Sequence, residues 1–469
     1  LSALDLRALA RRGGVHFMGV GGAGMAPLAD LLLRDGGRIS GCDLRRAPAA
    51  DALAARGAEV EVGHDPGHVR ECAVLIVSSA VDPAHPEVAA ARARGILVLK
   101  RAEALGAVVN SGVVVGVAGT HGKTTTTALT VATLAAGGLD PTGIVGGRVP
   151  AWDGNLRPGG DRIFVVEADE YDRSFHTLSP SVAVVTTLEA DHLDVYGSLG
   201  AVEEAFRVFT AAVPADGLVA LCADDSGAGR LAPLVAAPVI TYGTHAGSQL
   251  RAERVRFSAA GSDFAVRERG RLLGEVQLGV PGLHNVQNAL GAVAVARHFG
   301  VAWEAIAGAL AEYEGIDRRF ERVGERGGVL LVDDYAHHPT ELRATLAAAR
   351  AAYPERRLVA VFQPHLFTRT RDFAAAFGEA LAAADLALVT DVYPAREAPL
   401  PGVTGELIAT AAFRSGGAVE YLAERSALPA EMLARLRPGD LCLTLGAGDL
   451  DAAAREVLEM LPAEPGRAA

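Results

Sequence analysis

Six apolar residues, VVVGVA (Val113–Ala118), run without a polar interruption into GTHGKTTTT. An apolar run of that length with no alternation predicts a strand covered on both faces, as in a parallel sheet. A parallel strand needs a crossover, and the stretch from Thr124 onward has a helix-compatible composition. A tight loop from strand to helix aims backbone N–H groups at one point, which suits a polyphosphate. The spelling departs from the common phosphate loop G-x-x-x-x-G-K-[ST], because Val117 stands where the first glycine belongs. A shorter cradle remains physically adequate: Gly119, Thr120, His121 and Gly122 wrap the phosphates, Lys123 supplies a point charge, and the Thr124 hydroxyl can ligate Mg²⁺. The plainer alternative is a glycine turn that starts a helix.

The same rhythm recurs along the chain. VHFMGV, RISGCD, VLIVSS and ILVLK alternate with helical stretches such as MAPLADLLLRDG, and a break falls between Gly106 and Gly112. A second section holds VVVGVA, RIFVVEA and SVAVVTT, then a less regular region, Gly243 to Leu278, where some antiparallel strands are expected. The helix HNVQNALGAVAVARHFG follows. A third section, from Arg318, repeats the alternation with VLLVDD, RLVAVFQ, LALVTDV and LCLTLG. The fold class is therefore α/β in three domains: a Rossmann-like domain over 1–108, a central P-loop ATPase-like domain over 109–317, and a C-terminal Rossmann-like domain over 318–469. A chain of 469 residues suits that number of cores.

Charge and composition narrow the partners. A formal charge of −12 argues against a broad nucleic-acid footprint, so a phosphate-rich ligand must be met by local cations. Lys100 and Lys123 are the only lysines, which singles out the one in the glycine loop. No run is long and apolar enough to insert in a membrane. The first residues, LSALDLRALARR, carry an acid and dispersed apolar positions, unlike a secretory leader, and a cytoplasmic protein is expected. Cys42, Cys72, Cys222 and Cys442 are scattered with no C-x-x-C pair, which reads as buried thiols in a reducing compartment.

Phosphoryl transfer also needs metal ligands opposite the loop. RIFVVEADEYD places Glu167, Asp169 and Glu170 just after a strand, and SVAVVTTLEADHLD does the same for Glu189, Asp191 and His192. In parallel sheets ligand groups collect at the carboxyl edge of the strands, so the three loops would converge on one Mg–nucleotide. Alone, each acidic cluster reads as a solvated loop or cap. Nearer the start, Gly19, Gly21 and Gly24 spell G-x-G-x-x-G after a strand, with Asp43 after the next; on spacing alone this fits a dinucleotide site.

These residues resemble the Mur ligase family of ATP-dependent amide-forming enzymes in cell-wall precursor synthesis. GTHGKTTTT, with valine upstream, is similar to that family's own phosphate loop. The likeness continues through GLHNVQNA, IDRRFE, DDYAHHPTE, FQPHLFTRTRD and YPAREAPLPGVTGE. The last four stretches, with HFMGVGGAGMAPLA, resemble the branch that adds L-alanine to UDP-N-acetylmuramate. The resemblance implies ATP and Mg²⁺, UDP-N-acetylmuramate and L-alanine as substrates, and a monomer or homodimer. A substrate carboxylate attacks the γ-phosphate, and an amine displaces phosphate from the resulting acyl phosphate.

By the same resemblance Lys123, Glu167 and His192 are catalytic, and Thr124, Glu167 and His192 hold metal. ATP falls to Gly119 through Thr125, with His284, Asn285 and Asn288 on the adenine side and Arg319 and Asp334 from the third domain. The first glycine loop becomes a UDP-diphosphate cradle of Gly19, Gly21, Gly22 and Gly24, with Asp43 and Ser78. Tyr335 and His337 border a pocket for the alanine methyl, His365 belongs to the same amino-acid site, and Arg369, alone or with Arg371, meets the alanine carboxylate. Two departures stand out: Leu366 replaces an arginine of some relatives, and Thr187 an asparagine of many. The helical stretch VEEAFRVF lacks the lysine that sister ligases carbamylate. A ligase that attaches a whole tripeptide to the same nucleotide sugar, a silent nucleotide-binding regulator and a nicotinamide oxidoreductase are the rival readings.

Overall fold

A computed structural model of the chain describes residues 4–395 and 397–463. It has the three expected sheets. The first contains β1 (Val15–Met18), β2 (Ile39–Asp43), β3 (Glu59–Val62), β4 (Val74–Val77) and β5 (Leu97–Lys100), in the order β3-β2-β1-β4-β5. All its pairings are parallel. The strand order reverses beside β1, so the loop after β1 opens at the point where such sheets receive ligands.

The central sheet contains β6 (Val113–Ala118), β7 (Thr142–Val149), β8 (Gly154–Arg157), β9 (Ile163–Glu167), β10 (Val182–Val185), β11 (Leu218–Cys222), β12 (Val239–Gly243), β13 (Leu250–Ser258), β14 (Gly261–Glu268) and β15 (Arg271–Leu278). Its order is β15-β14-β13-β12-β11-β10-β6-β9-β7-β8. β6 lies between β10 and β9 and pairs with both in parallel, with Val117 opposite Glu167 and Ala118 opposite Val185. That register puts the phosphate loop, the EADE loop and the EADH loop at one edge. The links from β13 to β14 and from β14 to β15 are too short for a crossover, so these strands run antiparallel as expected. Arg269 and Gly270, which make the second turn, both have positive φ, the requirement of a tight hairpin turn.

The third sheet contains β16 (Glu321–Arg326), β17 (Val329–Asp334), β18 (Arg357–Phe362), β19 (Leu386–Thr390), β20 (Val419–Leu422) and β21 (Asp440–Leu445), ordered β16-β17-β21-β18-β19-β20. Only the edge strand β16 is antiparallel, against β17.

The chain divides into two compact units: residues 1–254, 264–276 and 287–313, and residues 255–263, 277–286 and 314–469. In the first, one continuous apolar cluster runs from Phe17 and Leu28 through Leu105 and Val108 to Phe164, Phe206 and Phe209, so one face of the first sheet and the phosphate-loop sheet share an interior. In the second, Leu346, Phe362 and Phe377 cover one face of the sheet, and Leu331, Met432, Leu450 and Val457 the other. All four cysteines are free, and Cys72 alone among them is only partly buried.

Candidate active site

The loop after β6 is shaped by positions where only glycine fits. Gly119 has φ +143° and a Cβ there would overlap the Thr186 hydroxyl; Gly122 has φ +82° and a Cβ would overlap the Asn288 side chain. Free of side chains, both can bring backbone against a ligand. The loop is held from β10: the N–H of Thr120 donates to the Thr187 carbonyl at 2.9 Å, and that of His121 to the Thr187 hydroxyl at 2.8 Å. Thr186 donates to the His121 carbonyl. Thr187, the departure from asparagine, thus supplies an acceptor of its own. Asn288 accepts from the Thr126 hydroxyl at 3.1 Å, which ties it to the helix Lys123–Ala136. Thr125 lies buried in the first turn of that helix.

Lys123 is nearly enclosed, its side chain 13% exposed, and its Nζ donates to Glu170 Oε2 at 2.8 Å and to the Gly119 carbonyl at 2.6 Å. Burial pulls the ammonium pKa down, but Glu170, Asp169 and Glu167 outweigh it and hold the pKa above its ordinary value. For Glu170 burial dominates the attraction of Lys123, and its pKa is pushed up to about 7. The short, nearly dry contact to a permanently charged lysine is the mark of an ion pair at neutral pH. Tyr196 fixes this turn by donating its hydroxyl to the Glu170 carbonyl at 2.5 Å.

Beside the pair, Thr124 Oγ1 donates to Glu167 Oε1 at 3.0 Å, and Glu167 Oε2 accepts from the Gly146 N–H at 2.6 Å. An adjacent hydroxyl and carboxylate are the hard oxygen donors that Mg²⁺ prefers, so the donor set fits that ion. His192, at φ +52°, places Nε2 3.6 Å from Glu170 Oε1 and 3.8 Å from Asp191 Oδ2. The structure therefore gathers Lys123, Thr124, Glu167 and His192, with Glu170 bridging the lysine and the histidine. Sequence reasoning saw Glu170 as one acid of three; only the turn after β9 decides which of them meets Lys123.

In the first sheet Gly19 has φ +82°, and Gly21 donates its N–H to Asp43 Oδ2 at 3.0 Å, so Asp43 closes the loop on itself. Gly22 donates to the Gly19 carbonyl, which tightens the turn, and Ser78 follows β4 at the same edge. A Cβ on Gly24 would press on the Arg101 side chain at 3.0–3.2 Å. Arg101 also lies 4.0 Å from Asp169, and neighbouring Lys100 pairs with Asp172 at 2.7 Å. Arg101 was missed because one arginine in an arginine-rich chain carries no local signal. Its side chain puts a cation beside the first glycine loop.

In the other unit, Asp334 accepts from the N–H groups of Phe320 and Ala336, each at 2.8 Å, and burial raises its pKa to about 6. Each of its oxygens thus holds one backbone N–H of the adjoining turns. Arg319 lies 3.5 Å from Glu341 and over the Tyr335 ring, 5.2 Å from its centre. His284 is kept neutral by burial and by Arg319, with its pKa lowered to about 4. Asn285 donates to the Pro281 carbonyl at 2.8 Å. Tyr335, His337 and His365 follow one another at ring separations of 5.3 and 6.0 Å, and Arg369 is buried near them, close enough to act on His337. Burial lowers the His337 pKa to about 4. Leu366 adopts φ +70° just before the helix Phe367–Leu381, a conformation costly for a branched side chain.

Three successive parts of the chain match Mur ligase descriptions: residues 14–112 the "Mur ligase family, catalytic domain", 117–296 the "Mur ligase middle domain" and 318–448 the "Mur ligase, glutamate ligase domain". A UDP-N-acetylmuramate–L-alanine ligase of Salinibacter ruber is 45% identical over 98% of each chain. One of Acidothermus cellulolyticus is 47% identical over 94% of this chain and 93% of its own. Among solved structures, the UDP-N-acetylmuramate–alanine ligase of Thermotoga maritima superposes with a TM-score of 0.82 at 27% identity, covering 95% of this chain and 98% of its own. A murein peptide ligase of Psychrobacter arcticus gives 0.70 at 26% identity, over 97% and 99%. With its three domains matched in order and relatives alike along nearly their whole length, the chain belongs to the Mur ligase family.

Proposed function

We infer that this protein is an ATP-dependent ligase that joins L-alanine to the lactyl carboxylate of UDP-N-acetylmuramate, in the synthesis of peptidoglycan precursors. The observation that carries the reading is the likeness, over nearly the full chain, to ligases of that name. The arrangement around Lys123 supports the chemistry. ATP would lie along the N–H groups of Gly119 to Lys123, and Lys123 would exchange Glu170 for the β- and γ-phosphates. Thr124 and Glu167 would hold Mg²⁺, which supplies charge neutralisation to the transferring phosphoryl group. His192, with Glu170, would border the acyl-phosphate end.

The UDP moiety falls to the loop of Gly19, Gly21, Gly22 and Gly24, with Asp43, Ser78 and Arg101. The amino acid falls to Tyr335, His337, His365 and Arg369. Such a reaction belongs to the cytoplasm, where ATP and nucleotide sugars are made. The tripeptide-adding ligase is the nearest rival, because a murein peptide ligase also shares the fold. Phosphate release from ATP, measured with UDP-N-acetylmuramate and each acceptor in turn, separates them. L-Alanine should drive turnover; release driven by the tripeptide and not by L-alanine would overturn the assignment.

A further inference from the structure

The scattered cysteines gave no metal-ligand spacing, yet the fold gathers one of them with histidines and an acid far from it in sequence. His16 lies on β1, Cys42 on β2, His68 opens the short helical turn His68–Glu71, and Glu87 sits in the first turn of the helix Pro86–Ala93. Each offers one ligand atom, and the four atoms all lie within 4.8 Å of one another. His16, Cys42 and Glu87 are buried, at 1%, 0% and 0% exposure. None of them belongs to the ATP or UDP cradles.

We propose that His16, Cys42, His68 and Glu87 form a binding site for one divalent transition-metal ion, zinc above all, in the N-terminal domain. A tetrahedral zinc with nitrogen, sulfur and oxygen ligands separates neighbouring ligand atoms by about 3.3–3.6 Å. His16 Nε2 lies 3.4 Å from Cys42 Sγ, and Sγ lies 3.5 and 3.6 Å from the two Glu87 oxygens. His68 Nδ1 is 2.8 Å from Glu87 Oε1, a hydrogen-bond length that must open slightly around an ion. His64 stands by as a further donor, its Nδ1 3.1 Å from Sγ and 3.3 Å from Glu87 Oε2.

The surroundings are those of a supported site. Ser40 Oγ shares a hydrogen bond with His16 Nδ1 at 2.9 Å, which orients the ring and leaves Nε2 facing the sulfur. The Asp65 N–H donates to Glu87 Oε1 at 3.0 Å. The His64 and His68 side chains, 16% and 17% exposed, mark the route in from solvent. The charges also balance: a thiolate and a carboxylate cancel a divalent cation, with neutral imidazoles completing the set. Burial already keeps His16 neutral, with its pKa lowered to about 4. Burial and Glu87 push the Cys42 thiol upward, so binding must displace its proton, which goes to solvent. Mg²⁺ is the wrong ion here, because it demands oxygen ligands and octahedral geometry. Bound metal would cross-link β1, β2 and two later segments, its cysteine ligand adjoining Asp43 in the chain.

The test uses the purified chain, residues 1–469, stripped with a chelator and titrated with Co²⁺. One equivalent should bind with a thiolate-to-cobalt charge-transfer band, survive excess Mg²⁺ and be displaced by Zn²⁺. Cys42→Ser should abolish the band and weaken zinc binding at least about tenfold, while Cys222→Ser keeps both. Should Cys42→Ser fold poorly by circular dichroism, His68→Asn, at the exposed edge, should weaken zinc binding to the same extent. No thiolate band in the wild type, or a band that survives Cys42→Ser, would overturn the site.

Discussion

Replacing Glu170 by glutamine removes a charge and almost no volume. It leaves Lys123 buried without the carboxylate that contacts it at 2.8 Å. Breaking a buried ion pair from one side costs about 3–5 kcal/mol, because the remaining charge is uncompensated. The low end applies, since the glutamine oxygen still accepts from Nζ, and Asp169 and Glu167 still act on the lysine. For a unit of this size about 3 kcal/mol corresponds to about 6 °C in melting temperature. The loss should be selective. Mg–ATP brings phosphate charge to the same ammonium, so nucleotide should stabilise Glu170→Gln more than the wild type, closing most of the gap. Differential scanning calorimetry with and without Mg–ATP measures both shifts. A variant that melts with the wild type and gains no more from nucleotide would refute the pairing, and with it the idea that phosphate takes the carboxylate's place.

Two other outcomes follow from the phosphate-loop clamp and from the buried histidines. Thr187→Val leaves the His121 N–H without its acceptor, at a cost of about 1 kcal/mol, and should raise KM for ATP about fivefold; Thr187→Asn keeps an acceptor and should stay near wild type, as steady-state kinetics would reveal. His284 and His337 have pKa values lowered to about 4 by burial, against 6.5 in the unfolded chain. Unfolding then takes up protons, so stability from these groups is present above pH 6.5 and lost as pH falls toward 4; His337→Gln should flatten that part of a urea-melt pH profile.

The phosphate loop was legible because everything that makes it is local. β6 is covered on both faces and so reads as an unbroken apolar run, and Gly119, Gly122, Lys123 and Thr124 follow in sequence. Glu167 was legible as a strand end. The partner of Lys123 was not, because three acids, Glu167, Asp169 and Glu170, lie within four residues at the end of β9, and only the folded turn shows that Glu170 is the one that meets the lysine. Thr186 and Thr187, which clamp the loop, look like ordinary strand-end threonines until β10 is known to lie beside β6. The resemblance of DDYAHHPTE makes Asp334 a nucleotide-side acid; that its two oxygens also hold the N–H groups of Phe320 and Ala336 is legible only in the fold. The grouping of His16, Cys42, His68 and Glu87 was invisible, because four separate elements contribute one residue each.

The most direct test of the ligase account follows one oxygen atom. With UDP-N-acetylmuramate carrying ¹⁸O in its lactyl carboxylate, turnover with ATP and L-alanine should leave one labelled oxygen in the released phosphate and the other in the new amide. Unlabelled phosphate alongside product formation would mean that the carboxylate is never phosphorylated, and the role given to the Lys123 cradle would fall.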